Sequence, residues 1–188
     1  MSKKLSEMTL EELWQLFPIF LSEHDESWNT WYDEEYQRIS TFLTGNNARI
    51  SHMGSTAIEH IWAKPIIDIL VEIPLENAIC KVKDLIVQNG YICMAEGEQD
   101  ISFNRGYTEN GFAEKVYHLH LRHWGNNDEL YFRDYLNDNL MIAKEYETLK
   151  LSLWKLYEHN RDGYTNAKHE FVSKYTQKAK EKYKDRYM

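Results

Sequence analysis

Cysteine and long apolar runs are both scarce in this sequence of 188 residues. Cys80 and Cys93 are its two cysteines, and they form no CxxC pair or other spacing typical of a metal site. We therefore expect two buried free thiols in a reducing compartment. Glu7, Glu11 and Glu12 interrupt the N-terminal segment, so it lacks the apolar centre of a signal peptide. Since no apolar run reaches the roughly 18 to 20 residues that span a bilayer, we expect a cytoplasmic protein.

Positive charge is also in short supply. The chain has 22 lysines and arginines against 30 acidic residues, which gives a formal net charge of −8. Nucleic acids and anionic membranes attract proteins through a basic field, so this balance argues against both as partners. A few local donors can still hold a small anion, and we therefore expect a small anionic ligand instead.

The chain has enough apolar residues for a sizeable core, at 43% of the sequence. No repeat, low-complexity segment or linker divides it, so we expect one α+β domain over residues 1–188. The patterning predicts a mixed sheet of about five strands flanked by helices, with a helical C-terminal region. The predicted strands are 48–53, 66–73, 91–95, 101–107 and 116–124.

Helix signals lie on both sides of these strands. Thr9 begins a capping box, which predicts a first helix running towards Phe20. Further helices are predicted from Ser27 to a cap at Gly45, over 75–89, and from Asp128 to the end, where Thr165 caps the last helix.

The most specific motif joins a Gly-Ser turn to a carboxylate in a buried strand. Gly54 and Ser55 follow a strand and enter a helical turn, where free N–H groups and a hydroxyl favour phosphate oxygens. Asp68 lies in the continuous apolar run 66–73, and a buried carboxylate needs a cation or hydrogen-bond donors nearby. A divalent metal ion bound to phosphates is one such cation. The alternative is an ordinary turn and a structural Asp68.

These residues resemble the signature of the GrpB-like (UPF0157) family of the nucleotidyltransferase superfamily. The similar stretches are Gly-Ser-Thr-Ala-Ile from Gly54, Ala-Lys-Pro-Ile-Ile-Asp-Ile-Leu-Val from Ala63, His-Leu-His-Leu from His118 and Phe-Arg-Asp-Tyr-Leu from Phe132. The resemblance covers residues 22–180. It implies a nucleotidyltransferase-like fold and transfer of a nucleotidyl group from a nucleoside triphosphate to an unknown acceptor. The implied partner is that triphosphate or another small phosphorylated ligand. Mg²⁺ or Mn²⁺ is the implied cofactor.

The resemblance also assigns roles to particular residues. Asp68 is the implied metal ligand and a catalytic residue, together with His118 and His120. Six cationic side chains are candidates for phosphate contacts: Lys64, Arg105, Arg122, Arg133, Lys150 and Lys168. The residues that we predict to bind the nucleotide or its phosphates are Gly54, Ser55, Thr56, Lys64, Arg133 and Lys150.

Two departures from the family pattern bear on catalysis. The superfamily usually places a second carboxylate two residues after the first, and this chain has Leu70 there. Glu72 shares the face of Asp68, but about 13 Å of strand separates them, so one metal ion cannot bridge both. The chain also has Glu59-His60 where the family commonly has Pro-Gly. Two alternatives to an active nucleotidyltransferase therefore stay open: a catalytically degenerate nucleotide- or phosphate-binding module, and a metal-dependent hydrolase using Asp68, His118 and His120.

Overall fold

A computed structural model describes residues 3–187. The helices are α1 (Leu10–Leu16), α2 (Ser27–Phe42), α3 (Ile79–Gln88), α4 (Asp128–Asn137), α5 (Leu140–Trp154) and α6 (Arg161–Tyr183). The strands are β1 (Arg49–Met53), β2 (Ile67–Ile73), β3 (Ile92–Glu96), β4 (Asp100–Thr108) and β5 (Gly111–His123). A short 3-10 turn, Ser55–Ala57, follows β1.

The five strands form one mixed sheet in the order β1-β2-β5-β4-β3. β2 and β5 run parallel, and the other neighbouring pairs are antiparallel. This arrangement confirms the predicted α+β class, with helices on the sheet and a helical C-terminal region. In the part of the chain that the structure describes, no helix is long and apolar enough to cross a membrane.

The two faces of the central strand β2 have different partners. Ile67, Ile69 and Val71 are fully buried in the main core, where α2 and α3 cover the sheet. Asp68 and Leu70 point to the opposite face, because side chains alternate along a strand. The core therefore fixes β2 in a register that presents Asp68 on the face covered by the C-terminal helices.

Several element boundaries differ from the sequence-based predictions. α1 ends at Leu16, well before Phe20, because Phe17 precedes Pro18 and the residue before a proline disfavours helix. α3 begins at Ile79 and not at residue 75. The residues before it form a turn, in which the Asn77 N–H donates a hydrogen bond to the Pro74 carbonyl at 3.0 Å.

The first residues of β5 and α6 also differ from the predicted ones. β5 begins at Gly111 instead of residue 116, because it continues back into the hairpin with β4. α6 begins at Arg161, where the Asn160 side chain accepts a hydrogen bond from the Gly163 N–H at 2.8 Å. Thr165 therefore lies inside the helix, and Asn160 is the cap.

The expectation of buried cysteines is wrong, since Cys80 and Cys93 are both exposed. Cys93 lies on β3, an edge strand of the sheet whose residues are all exposed. Cys80 is on the outer side of α3, whose buried residues are Val82 and Ile86. A cysteine is buried only where another element of the structure packs over it, and no element packs over Cys80 or Cys93.

We expect both thiols to be alkylated in the native protein. An exposed cysteine can react while the protein stays folded, whereas a buried one reacts only after local or global unfolding. Treatment with iodoacetamide, followed by mass spectrometry, should give full modification of Cys80 and Cys93 at similar rates with and without urea. Protection of either thiol until urea is added would contradict the exposure described above.

Candidate phosphate-binding site

Gly54 makes the sharp turn that ends β1. Its φ of 72° and ψ of −169° lie in a region that is essentially restricted to glycine. A Cβ atom at this position would also overlap the Asp68 carboxylate and would lie 2.9 Å from the Cβ and Cγ atoms of Asp68. The missing side chain therefore lets the turn backbone lie directly against the carboxylate.

Hydrogen bonds hold the turn in place. The Thr56 hydroxyl donates to the Ile66 carbonyl at 3.2 Å and lies 3.0 Å from Nε2 of His52. The His52 ring stacks on Tyr32 of α2, with ring centroids 4.6 Å apart, and burial lowers the pKa of His52 to about 4. Thr56 lines the site, but its hydroxyl is already engaged in supporting the turn. His52 precedes the predicted motif by two residues, and its supporting role carried no signal in the sequence.

Asp68, His118 and Tyr107 form a hydrogen-bonded chain across the sheet. Asp68 and His118 are register partners on β2 and β5, with Oδ1 of Asp68 3.1 Å from Nδ1 of His118. Nε2 of His118 lies 2.8 Å from the Tyr107 hydroxyl. We assign the proton to Nδ1, because a carboxylate can only accept and the tyrosine hydroxyl can donate to Nε2. The imidazole is thereby fixed in one tautomer.

The charges of this pair follow from burial and from each other. Burial lowers the pKa of His118, although the hydrogen bond to Asp68 opposes that effect, so the imidazole is neutral at pH 7. Burial raises the pKa of Asp68, but the lowering effects outweigh burial, the hydrogen bond from His118 being the largest of them, and the net pKa is lowered. The pair is therefore a carboxylate beside a neutral imidazole.

A cavity of about 170 Å³ opens beside this pair. Three lysines from separate elements line it: Lys64 before β2, Lys150 on α5 and Lys168 on α6. Burial lowers the pKa of Lys64 to about 8, and lowers those of Lys150 and Lys168 to about 7. The other residues lining the cavity are Leu21, Gly54, Ser55, Thr56, Ile66, Asp68, His118, Tyr146 and Tyr164.

Tyr164 lies between two of the lysines. The Lys168 ammonium is 4.0 Å from the centroid of the Tyr164 ring, and the Lys64 ammonium is 5.7 Å from it. The side chain is only 1% exposed, yet its hydroxyl has no hydrogen-bond partner within residues 3–187. A buried hydroxyl without a partner is costly, and a ligand in the cavity would supply one.

Two predicted site residues do not line this cavity. Arg133 donates to the His52 carbonyl at 2.6 Å, to its neighbour Asp134, and to the Tyr187 hydroxyl at 2.9 Å. His120 has Nδ1 3.7 Å from Oδ1 of Asp100, one step further along the sheet face. Arg133 therefore ties α4 to β1 and to the C-terminal segment. His120 lies beside Asp100, but its buried Nδ1 has no hydrogen-bond partner within residues 3–187.

The donor set does not fit a resident metal ion. Leu70, at the position of the missing second carboxylate, is fully buried and packs with Met53 and Leu130 of α4. Glu72 is also buried, and it accepts hydrogen bonds from the Gly125 N–H and the Asn127 amide. Throughout the described chain, no group of three or more His, Cys, Asp or Glu residues could hold a metal. Asp68 thus stands as a single carboxylate.

Sequence reasoning missed the aromatic part of the site. Tyr146 and Lys150 occupy neighbouring turns of α5, and Tyr164 and Lys168 do the same on α6. Both pairs have i,i+4 spacing, which places each tyrosine and its lysine on one helix face. That repeated Tyr-Lys spacing was a usable signal, since it aligns two cations with two buried hydroxyls.

The fold of the chain is nucleotidyltransferase-like. Its fold is similar to that of the Cid1 poly(U) polymerase, with a TM-score of 0.51 at 9% identity over 69% of this chain and 42% of that one. At this identity the similarity concerns the fold alone. The GrpB protein family matches residues 18–178, and the chain belongs to that family.

Individual relatives agree with this assignment. The crystal structure of the conserved protein GrpB from Enterococcus faecalis matches with a TM-score of 0.75 and 29% identity, over 87% of this chain and 99% of that one. The glutamate-rich protein GrpB of Alkalihalophilus pseudofirmus is 33% identical over 82% of this chain and 91% of its own length. The UPF0157 protein YqkA of Bacillus subtilis is 33% identical over 84% of this chain, which spans 46% of that relative.

Proposed function

We propose that the protein binds the phosphate groups of a nucleoside triphosphate, or of another small phosphorylated ligand, in the cavity at Gly54 and Ser55. The observation that carries this proposal is the set of three lysines around the unpartnered Tyr164 hydroxyl. Within residues 3–187, the ammonium groups of Lys64 and Lys168 have no hydrogen bond and no ion pair, and their contacts are with the Tyr164 ring. Unpaired ammonium groups in a small cavity favour a polyanion, because charge-assisted hydrogen bonds to phosphate are strong.

Each part of the cavity has a role in this proposal. The lysines supply positive charge, and the Tyr164 hydroxyl donates a hydrogen bond to a phosphate oxygen. The Gly54 turn lets the ligand approach the backbone closely, because no side chain stands in the way. A larger groove of about 900 Å³ between α4 and α6 shares Gly54, Ser55 and Tyr146 with the cavity. The rest of the ligand can lie in that groove.

Nucleotidyl transfer is the second candidate function, and the Asp68–His118 pair favours it. In that reaction an acceptor oxygen would bond to the α-phosphorus, the bond to the leaving pyrophosphate would break, and the pair would take the proton of the acceptor. The Cid1 poly(U) polymerase, whose structure is described as bound to MgGTP, is an example of a protein with a similar fold that binds a nucleotide. The hydrolase alternative lacks comparable support, because His120 does not line the cavity with Asp68 and His118.

Thermal unfolding in the presence of each common nucleoside triphosphate tests the binding proposal. A ligand at about 100 times its Kd stabilises a protein by roughly 2.7 kcal/mol, which is an easily measured shift. We expect a shift with the wild type and with Lys174→Met, which changes an exposed lysine of α6. We expect a clearly smaller shift with Lys64→Met, because a tenfold loss of affinity about halves the stabilisation at this ligand concentration.

Two outcomes would separate the candidate functions. If no triphosphate or inorganic polyphosphate shifts the transition, phosphate binding at this cavity is wrong. If binding occurs, incubation with triphosphates labelled at the α-phosphate and a small-molecule extract tests transfer. Transfer that Asp68→Ala abolishes, while binding persists, would establish catalysis; binding without any transfer would leave a binding module.

A further inference from the structure

The charge inside the cavity is opposite to that of a metal-binding site. Lys64, Lys150 and Lys168 face a single acid, Asp68, among the described residues that line it. When a bound anion keeps all three lysines protonated, they and the ionised Asp68 give a net charge of +2 in about 170 Å³. Buried ammonium groups have lost their hydration shells, and a bound anion stabilises their charged form.

Two of the three ammonium groups are free to meet an anion. Lys150 donates to the Trp62 carbonyl and lies 4.9 Å from the centroid of the Tyr146 ring. Lys64 and Lys168 contact the face of the Tyr164 ring and, in the described part of the chain, no carboxylate or carbonyl oxygen. Their donors are thus available to phosphate oxygens.

The carboxylate, by contrast, is poorly arranged to receive a divalent cation. Its Oδ1 atom is engaged with His118, and the Gly54 backbone lies against its other side. The position of a second carboxylate is occupied by Leu70, which packs under α4. A cation placed at Asp68 would also be repelled by the lysines, and a short-range repulsion of this kind is large where water is excluded.

From this arrangement we propose that the lysines take the place of the metal ions, so that the cavity binds metal-free polyphosphate in preference to its magnesium complex. This inference rests on the proposed phosphate binding and specifies the state of the ligand. Magnesium occupies the phosphate oxygens that the ammonium groups would otherwise contact. Each ion on the ligand therefore removes charge-assisted hydrogen bonds from the complex.

Isothermal titration calorimetry with ATP tests the inference at pH 7, in buffer with EDTA and in buffer with excess MgCl₂. We expect binding in EDTA and weaker binding with magnesium, by about tenfold or more, as expected for losing one charge-assisted hydrogen bond. Inorganic triphosphate should show the same order. Equal or tighter binding in magnesium would overturn the inference and leave the proposed phosphate binding intact.

Variants identify the groups responsible. Lys168→Met should weaken binding in EDTA by about tenfold or more and reduce the difference between the two buffers. Lys174→Met, on the exposed side of the same helix, should retain both the affinity and the difference. Lys64→Met provides a second variant if Lys168→Met does not fold. If ATP and triphosphate bind in neither buffer, the proposed function itself is wrong, and this outcome differs from magnesium-dependent binding.

Discussion

Replacing Gly54 with alanine should destabilise the protein by about 2 to 5 kcal/mol, which combines positive-φ strain with overpacking. The backbone at Gly54 has φ of 72°, and the new methyl group would overlap the Asp68 carboxylate. Asp68 has little room to move, because it is hydrogen-bonded to His118 and is held in a central strand. Urea unfolding followed by circular dichroism measures the loss.

Gly45→Ala is the matched control for this prediction. Gly45 has φ of 85°, but no atom lies within 4 Å of the position that its Cβ would occupy. We expect it to lose only the strain of a positive φ, about 1 to 2 kcal/mol. Equal losses for the two variants would show that the contact with Asp68 contributes nothing, and would remove the reason for a glycine at the site.

Lys168→Met should make the free protein more stable at pH 7 while weakening phosphate binding. The pKa of Lys168 is lowered to about 7 by burial, from a usual value of 10.5. Between these values the unfolded chain binds a proton that the folded chain does not, so stability rises with pH from about 7 to about 10. The variant removes this penalty, and we expect a gain of at least about 1 kcal/mol at pH 7.

The measurement is the free energy of unfolding from urea titrations at several pH values between 7 and 10. The slope against pH should be smaller in Lys168→Met than in the wild type, and unchanged in Lys174→Met, whose side chain is exposed. Saturating triphosphate should also reduce the slope in the wild type, because a bound anion keeps the amine protonated. A wild-type stability that falls over this range would contradict the lowered pKa.

The strands were predictable because their signals are local. The apolar run of β2 and the alternation along β5 specify which side chains enter the core, and the core residues found are the ones in these patterns. The first and last residues of the helices were harder to predict. Pro18 ended α1 early, and Asn160 capped α6 ahead of Thr165, since local caps compete and the sequence does not rank them.

The site was predictable only in part, because half of it is assembled over long distances. Gly54, Ser55 and Asp68 lie close together in the sequence, within residues 54–68. The pairing of β2 with β5 brings His118 to Asp68. Lys150 and Lys168 reach the same cavity from helices that follow the sheet. The i,i+4 spacing places each lysine on a helix face with a tyrosine, but only the packing of the helices brings both faces to the cavity. The positions of Arg133 and His120 outside this cavity also depend on such long-range contacts, which the sequence does not show.

The packing of Leu70 limits what evolution can do with this chain. A single change to an acidic residue would place a charge among Met53 and Leu130, beneath α4, where water does not reach. Restoring a pair of metal-binding carboxylates would therefore require the surrounding residues to change first, through intermediates with no benefit of their own. The groove between α4 and α6 lies outside this packing, so substitutions along it leave the contacts of Leu70 unchanged.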